Sequence, residues 1–129
     1  MRVILSLLLF SLFSPCMQAE DEKEAPTIEY LQMNPKFIVN LQERKKFLRA
    51  DVQLLVEGDN NIEKIKKNMP ALRHELIMLF SGLSYEEIET AQQREELRKL
   101  AHAKLTDALS KFSNSDGFRD LYFTEFLIN

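Results

Sequence analysis

The sequence predicts an α+β domain in which a mostly antiparallel sheet of three strands, two in a hairpin and one at the C-terminus, packs against two long helices. Three observations carry this. Apolar residues alternate with polar ones through most of 36–57; they recur at steps of three and four over 62–83 and 97–112; and an aromatic, β-branched run closes the chain. Of the 129 residues, 45% are hydrophobic and 29% charged, which suits one core that needs no metal or disulfide staple.

The first segment stands apart from that core. Arg2 precedes an apolar run from Val3 to Met17, interrupted by serines and Pro15. As a helix such a run spans about 22 Å against a hydrocarbon core of about 30 Å, so it reads as a secretory signal over residues 1–19, cut after Ala19. A short retained membrane anchor and lipidation of Cys16 are the alternative fates. Residues 20–27, EDEKEAPT, are too charged to bury and read as an acidic linker ahead of a domain at 28–129. Loss of the leader removes Arg2 and takes the net charge from −3 to −4. The remaining chain would hold no thiol, in keeping with an oxidising compartment.

The first predicted strand, KFIVNLQ, sets Phe37, Val39 and Leu41 on one face. The second, FLRADVQLLVE, sets Leu48, Ala50, Val52, Leu54 and Val56 opposite Arg49, Asp51, Gln53 and Glu57. Glu43 to Lys46 connect them as an antiparallel hairpin. Beyond Gly58 to Asn61 the spacing changes to Ile62, Ile65, Met69, Leu72, Leu76, Leu79 and Leu83, a helical stripe. Pro70 interrupts it, and because the stripe keeps its phase the sequence favours a kink over a split near Asn68. Gly82 closes the helix.

Two capping boxes follow, Ser84 with Glu87 and Thr90 with Gln93. The first starts a single turn; the second opens a helix to about Phe112 that should bury Leu97, Leu100, Ala101, Leu105, Ala108, Leu109 and Phe112. Asn114 to Gly117 form a turn, and FRDLYFTEFLI is the last strand. Strict alternation there would place Leu121, Phe123 and Leu127 on one face and Tyr122, Phe126 and Ile128 on the other. Both faces are then apolar, which predicts a strand covered on both sides, with an exposed face for subunit contact as the alternative.

Reactive constellations are absent from the sequence. A single cysteine excludes a multi-cysteine metal site, the three glycines form no phosphate cradle, and the acidic balance does not suit nucleic acid. His74-Glu75 would need a second histidine at Met78 to make a zinc-protease helix. Glu86, Glu87 and Glu89 diverge around a helix start, and no serine sits in a nucleophile elbow. No cofactor is expected, and an enzyme is not; a small hydrolase or ligand carrier would need a sheltered polar pocket for which the sequence has no motif.

Two surfaces remain as candidates for contact. Arg44, Lys45, Lys46 and Arg49 form the dense basic cluster, read as a solvated hairpin tip or as a foot on anionic lipid or an acidic partner. Tyr122, Thr124 and Phe126 in the last strand are the candidate subunit or partner interface, for which Phe126→Asp should weaken assembly without unfolding the monomer.

The last strand also carries a resemblance. Tyr122-Phe123-Thr124-Glu125-Phe126-Leu127-Ile128 is similar to the C-terminal signature of the flagellar basal-body FliL family. Upstream, Asn34 to Leu41 and Arg49 to Leu54 resemble its first two strands, Met69 to Ile77 its proline-bearing helix, and Ser81 to Ile88 the segment after it. The resemblance covers about Ile28 to Asn129. It implies a periplasmic domain akin to the stomatin and prohibitin group, assembled as a homo-oligomeric ring around the flagellar stator subunits at the inner membrane, supporting motility without catalysis. Family members carry a longer membrane-spanning helix than the Val3 to Met17 run. A stomatin-like membrane-surface scaffold unrelated to motility is the alternative reading.

Overall fold

Among the described residues eight elements follow in chain order: β1 (Ile28–Gln32), β2 (Phe37–Asn40), β3 (Phe47–Glu57), α1 (Asp59–Lys67), α2 (Met69–Ser81), a 3-10 turn (Tyr85–Glu87), α3 (Ala91–Lys111) and β4 (Phe118–Ile128). The computed structural model describes residues 25–112 and 116–129. The leader at 1–19 with its cut after Ala19, most of the acidic linker, and Asn114 and Ser115 of the last turn lie outside the described residues.

β3 is the central strand and is antiparallel to its three neighbours. β4 runs along one side of it. Along the other, β2 opposes Phe47 to Ala50 and β1 opposes Gln53 to Glu57. The Met33 N–H donates to the Val52 carbonyl at 2.9 Å, so β1 and β2 behave as one edge interrupted at the cis Asn34-Pro35 peptide.

The hairpin of β2 and β3 and the C-terminal strand agree with the sequence reading, whereas the strand count does not. β1 makes the sheet four-stranded. Its five residues send only Leu31 into the core and leave Ile28 and Tyr30 exposed, so its pattern lacks the inward apolar repeat that marks β3.

The helical layer also differs. Instead of one kinked helix, the chain ends α1 at Lys67 and restarts α2 at Met69, making three helices rather than two long ones. Asn68 joins them at φ −96° and ψ 8°, and its N–H still reaches the carbonyls of Lys64 and Ile65 at 3.1 Å each. Pro70 falls in the first turn of α2, where its missing N–H has no helical acceptor to lose. The break resets the helical phase. Leu72, Leu76 and Phe80 become the buried line of α2, while Leu79 and Leu83 are only partly buried. Phe80, absent from the predicted stripe, meets Phe37 edge-on at 5.6 Å and Phe123 at 6.0 Å. On α3, Leu97, Ala101, Leu105, Ala108 and Leu109 are buried as expected, but Leu100 and Phe112 are exposed.

Both capping boxes form. The Ser84 N–H donates to Glu87 Oε2 at 3.1 Å, and Thr90 and Gln93 exchange bonds of 3.0 and 3.1 Å. At the other end of the sheet, Gly58 (φ 97°) and Gly117 (φ 84°) hold the strand ends together: Glu57 N–H donates to the Gly117 carbonyl at 2.8 Å and Gly58 N–H to that of Thr27 at 2.7 Å.

Every inward residue of β3, from Leu48 through Ala50, Val52 and Leu54 to Val56, joins the helix residues in one core. Among the described residues no helix packs on the opposite face of the sheet.

Candidate interaction surface

Two irregularities in β4 decide which of its side chains face the core. Asp51 pairs with Glu125 but Val52 with Phe123, and Leu55 pairs with Asp120 but Val56 with Phe118, so Thr124 and Arg119 are extra residues in the strand. Each bulge flips the alternation. Phe118, Leu121, Phe123, Phe126 and Ile128 therefore all reach the helical side, and Tyr122 and Leu127 turn outward. This corrects the faces expected from strict alternation, and it leaves β4 covered on one side. Phe126 packs on Phe123 with ring centroids 5.4 Å apart. The structure thus separates the three predicted interface residues: Tyr122 and Thr124 are exposed, while Phe126 is half-buried against the core.

The uncovered face holds two apolar islands. At one end Ile28 (61% exposed), Tyr30 (60%) and Tyr122 surround Leu55, and the Tyr30 and Tyr122 rings lie 6.3 Å apart. At the other end Ile38 (62%) and Leu127 (49%) flank Arg49 across the sheet. A polar band separates them, in which Gln32 bonds to Asp51, Gln53 donates to Gln32 at 2.8 Å, and Lys36 pairs with Glu125. Burial and the nearby Asp120 carboxylate raise the Tyr122 phenol above its ordinary range.

The basic cluster is spread out by the fold. Arg44 and Lys45 are exposed on the hairpin connection, where Lys45 adopts φ 67°. Lys46 lies over the Tyr85 ring at 4.4 Å. Arg49 projects from the open face of β3. The connection itself is anchored, with Gln42 N–H donating to the Leu83 carbonyl at 3.0 Å and the Tyr85 N–H donating to the Glu43 carboxylate at 2.9 Å.

A cluster of polar contacts also joins α3 to β4, a feature the sequence reading missed. Arg98 donates to both oxygens of Glu95 at 2.6 and 2.8 Å, to Asp120 at 2.5 Å and to the Leu121 carbonyl at 3.2 Å. The hydrogen bonds from Arg98 hold the Glu95 carboxyl below its usual range. Arg98 itself is raised further, first by the bond to Glu95 and then by the Asp120 charge. One helical turn on, the His102 ring stacks on Phe118 at 4.9 Å with Nε2 3.2 Å from the Arg119 carbonyl. Only the i,i+3 pair Glu95 and Arg98 was visible as a local signal; Asp120 is distant in sequence.

Among the described residues no three His, Cys, Asp or Glu side chains gather as a metal site, and no helix is long and apolar enough to cross a membrane. His74 is exposed, and the grooves on the surface are open rather than sheltered clefts with converging acid and base groups.

These observations define an α+β domain whose antiparallel sheet is covered by helices on one face and, among the described residues, carries apolar islands on the other. Residues 30–128 match the family described as flagellar basal body-associated protein FliL. The flagellar protein FliL of Aquifex aeolicus (strain VF5) is 30% identical over 99 residues, covering 75% of this chain and 59% of that protein. The chain belongs to the FliL family, a family of flagellar accessory proteins and not of enzymes. It spans about 59% of the length of the curated relative it matches.

Proposed function

We propose that this domain is a periplasmic scaffold of the flagellar motor that self-associates and supports the stator complex during motility, with a topology akin to the stomatin group. The observation that carries the reading is the uncovered sheet face with Ile28, Tyr30 and Tyr122 on one island and Ile38 and Leu127 on the other. Large apolar side chains grouped on an open sheet mark a contact surface rather than a solvated one. Family membership supplies the flagellar setting.

The test combines a pull-down of stator subunits by the tagged protein with swimming of a strain carrying Tyr30→Ser and Tyr122→Ser. Poorer stator recovery and slower swimming are expected. Unimpaired motility with no stator in the eluate defeats the proposal.

A membrane-surface role draws on Arg44 and Lys45, which make no ion pair among the described residues and sit at the exposed hairpin tip. Each basic group near an anionic bilayer contributes about 1 kcal/mol. Co-sedimentation with vesicles of mixed phosphatidylglycerol and phosphatidylcholine, compared for the wild-type chain and Arg44→Ala with Lys45→Ala, measures it. Equal sedimentation of the two proteins rules it out.

A further inference from the structure

The outer edge of β4 is closed along one half and open along the other. Phe47 and Asn129 exchange both backbone bonds at 3.0 Å. Bonded pairs recur at every second residue of an antiparallel ladder, so the next ones are Arg49 with Leu127 and Asp51 with Glu125. The N–H and C=O groups of Phe126 and Ile128 then point away from β3, into the free edge. Upstream, α3 covers that edge: Arg98 donates to the Leu121 carbonyl and His102 meets that of Arg119, both at 3.2 Å. Downstream, no backbone or side-chain bond from another element among the described residues reaches the outward groups of Phe126 and Ile128.

Beside the open half runs a groove of about 540 Å³ between α3 and β4, floored by Phe123 and Phe126 and walled by Tyr122, Arg94 and Arg98. The Arg94 guanidinium lies 5.0 Å from the Phe126 ring, with Nε donating to the Ile88 carbonyl at 3.2 Å. Its charge has no carboxylate partner among the described residues, whereas Glu95, the one acid on the groove wall, is held by Arg98. An unpaired strand edge, an aromatic floor and an uncompensated cation together fit an added strand.

Charge decides the occupant. The opposite free edge of the sheet, along β2, also carries an arginine, since Arg73 lies 4.3 Å from the Phe37 ring. Joining the β4 edge to β2 of a second copy would bring Arg94 toward Arg73, and joining it to a second β4 would bring Arg94 toward Arg94; like charges disfavour both seams, while the acid on the β1 half, Glu29, already has Lys66 at 4.0 Å. We propose that the Phe126 to Ile128 edge accepts an extended segment of a partner protein that presents an apolar and an acidic residue two positions apart to the groove. The acid meets Arg94 and the apolar side chain covers Phe123 and Phe126. This site does not depend on the motor assignment.

The probe is an acetylated, amidated peptide in which threonine alternates with valine, aspartate and valine, with a control in which lysine replaces aspartate. On the full chain, the aspartate peptide should slow amide hydrogen exchange at Phe126 and Ile128, and Arg94→Glu should weaken binding about tenfold or more. Ile128→Pro deletes one outward N–H and leaves the β3 ladder bonds, so it should abolish binding, whereas Ile128→Ala, with a similar loss of side chain, should retain it. Equal binding of the lysine peptide, equal binding by the proline and alanine variants, or no binding of the aspartate peptide would overturn the proposal. So would protection of the same two amides by self-association alone, seen as a dimer in sedimentation that Ile128→Pro dissolves.

Discussion

Arg98 Nη1 lies 2.5 Å from Asp120 Oδ1, and the same carboxylate oxygen accepts the Leu121 N–H at 2.8 Å. One guanidinium thus ties the middle of α3 to the bulged part of β4, just where the chain of β4 leaves regular alternation. Both side chains are partly shielded, at 21% and 32% exposure. Charge-assisted bonds in that setting are worth more than a surface pair.

Arg98→Ala is therefore expected to lower stability by about 1 to 2 kcal/mol. Arg98→Lys should recover only part of it, because an ammonium cannot reach Glu95, Asp120 and the Leu121 carbonyl together. Urea unfolding of the two variants checks this; identical midpoints for wild type and Arg98→Ala would refute the role.

The depressed Glu95 carboxyl gives stability a pH dependence of known sign. Its folded value lies below its unfolded one, so its contribution is fully present above the ordinary carboxylate range and disappears as pH falls through the lowered value. Thermal unfolding from neutral pH downward should show this decline, and Glu95→Gln should lessen it. A Glu95→Gln profile parallel to wild type at every pH contradicts the assignment.

Gly117 cannot carry a side chain. At φ 84° a Cβ would lie 2.4 Å from the Glu57 carbonyl oxygen, so Gly117→Ala should cost about 1 to 3 kcal/mol. Gly82 is the internal control. Its nearest atom to an added Cβ is 4.0 Å away and its φ of −89° is ordinary, so Gly82→Ala should leave the unfolding midpoint nearly unchanged.

Phe126 and Leu127 should part company under the same substitution. Phe126→Asp places a carboxylate against Phe123 on the core side and should destabilise the fold by about 3 kcal/mol. Leu127→Asp, on the open face, should leave the fold within about 1 kcal/mol while weakening any self-association. Paired denaturation and sedimentation measurements separate the two effects.

Local order was written plainly in the chain. The β3 pattern, both capping boxes, the glycine stop at Gly82 and the limits of α3 and β4 all rest on periodicity or on contacts within a few residues, which a linear reading captures. The family resemblance drew on the same stretches. Two features escaped because each depends on partners far away in sequence. β1 is a strand only because β3 offers it an edge, since just Leu31 of its five residues enters the core. The break at Asn68 turns α2 so that Phe80 faces Phe37 and Phe123.

The placement of the candidate surface shows the same division. Sequence alone determined that β4 is a strand rich in aromatic residues. Tertiary structure decided which of those residues are available, because the extra residues Arg119 and Thr124 exist only relative to the pairing with β3. The inward residues Phe118, Leu121, Phe123, Phe126 and Ile128 are spaced unevenly, but apolar Tyr122 and Leu127 on the other face mask that signal, and each bulge inverts the side on which every later side chain falls. That inversion puts Phe126 into the core wall, leaves Tyr122 on the open face, and turns the backbone of Phe126 and Ile128 outward at a free edge.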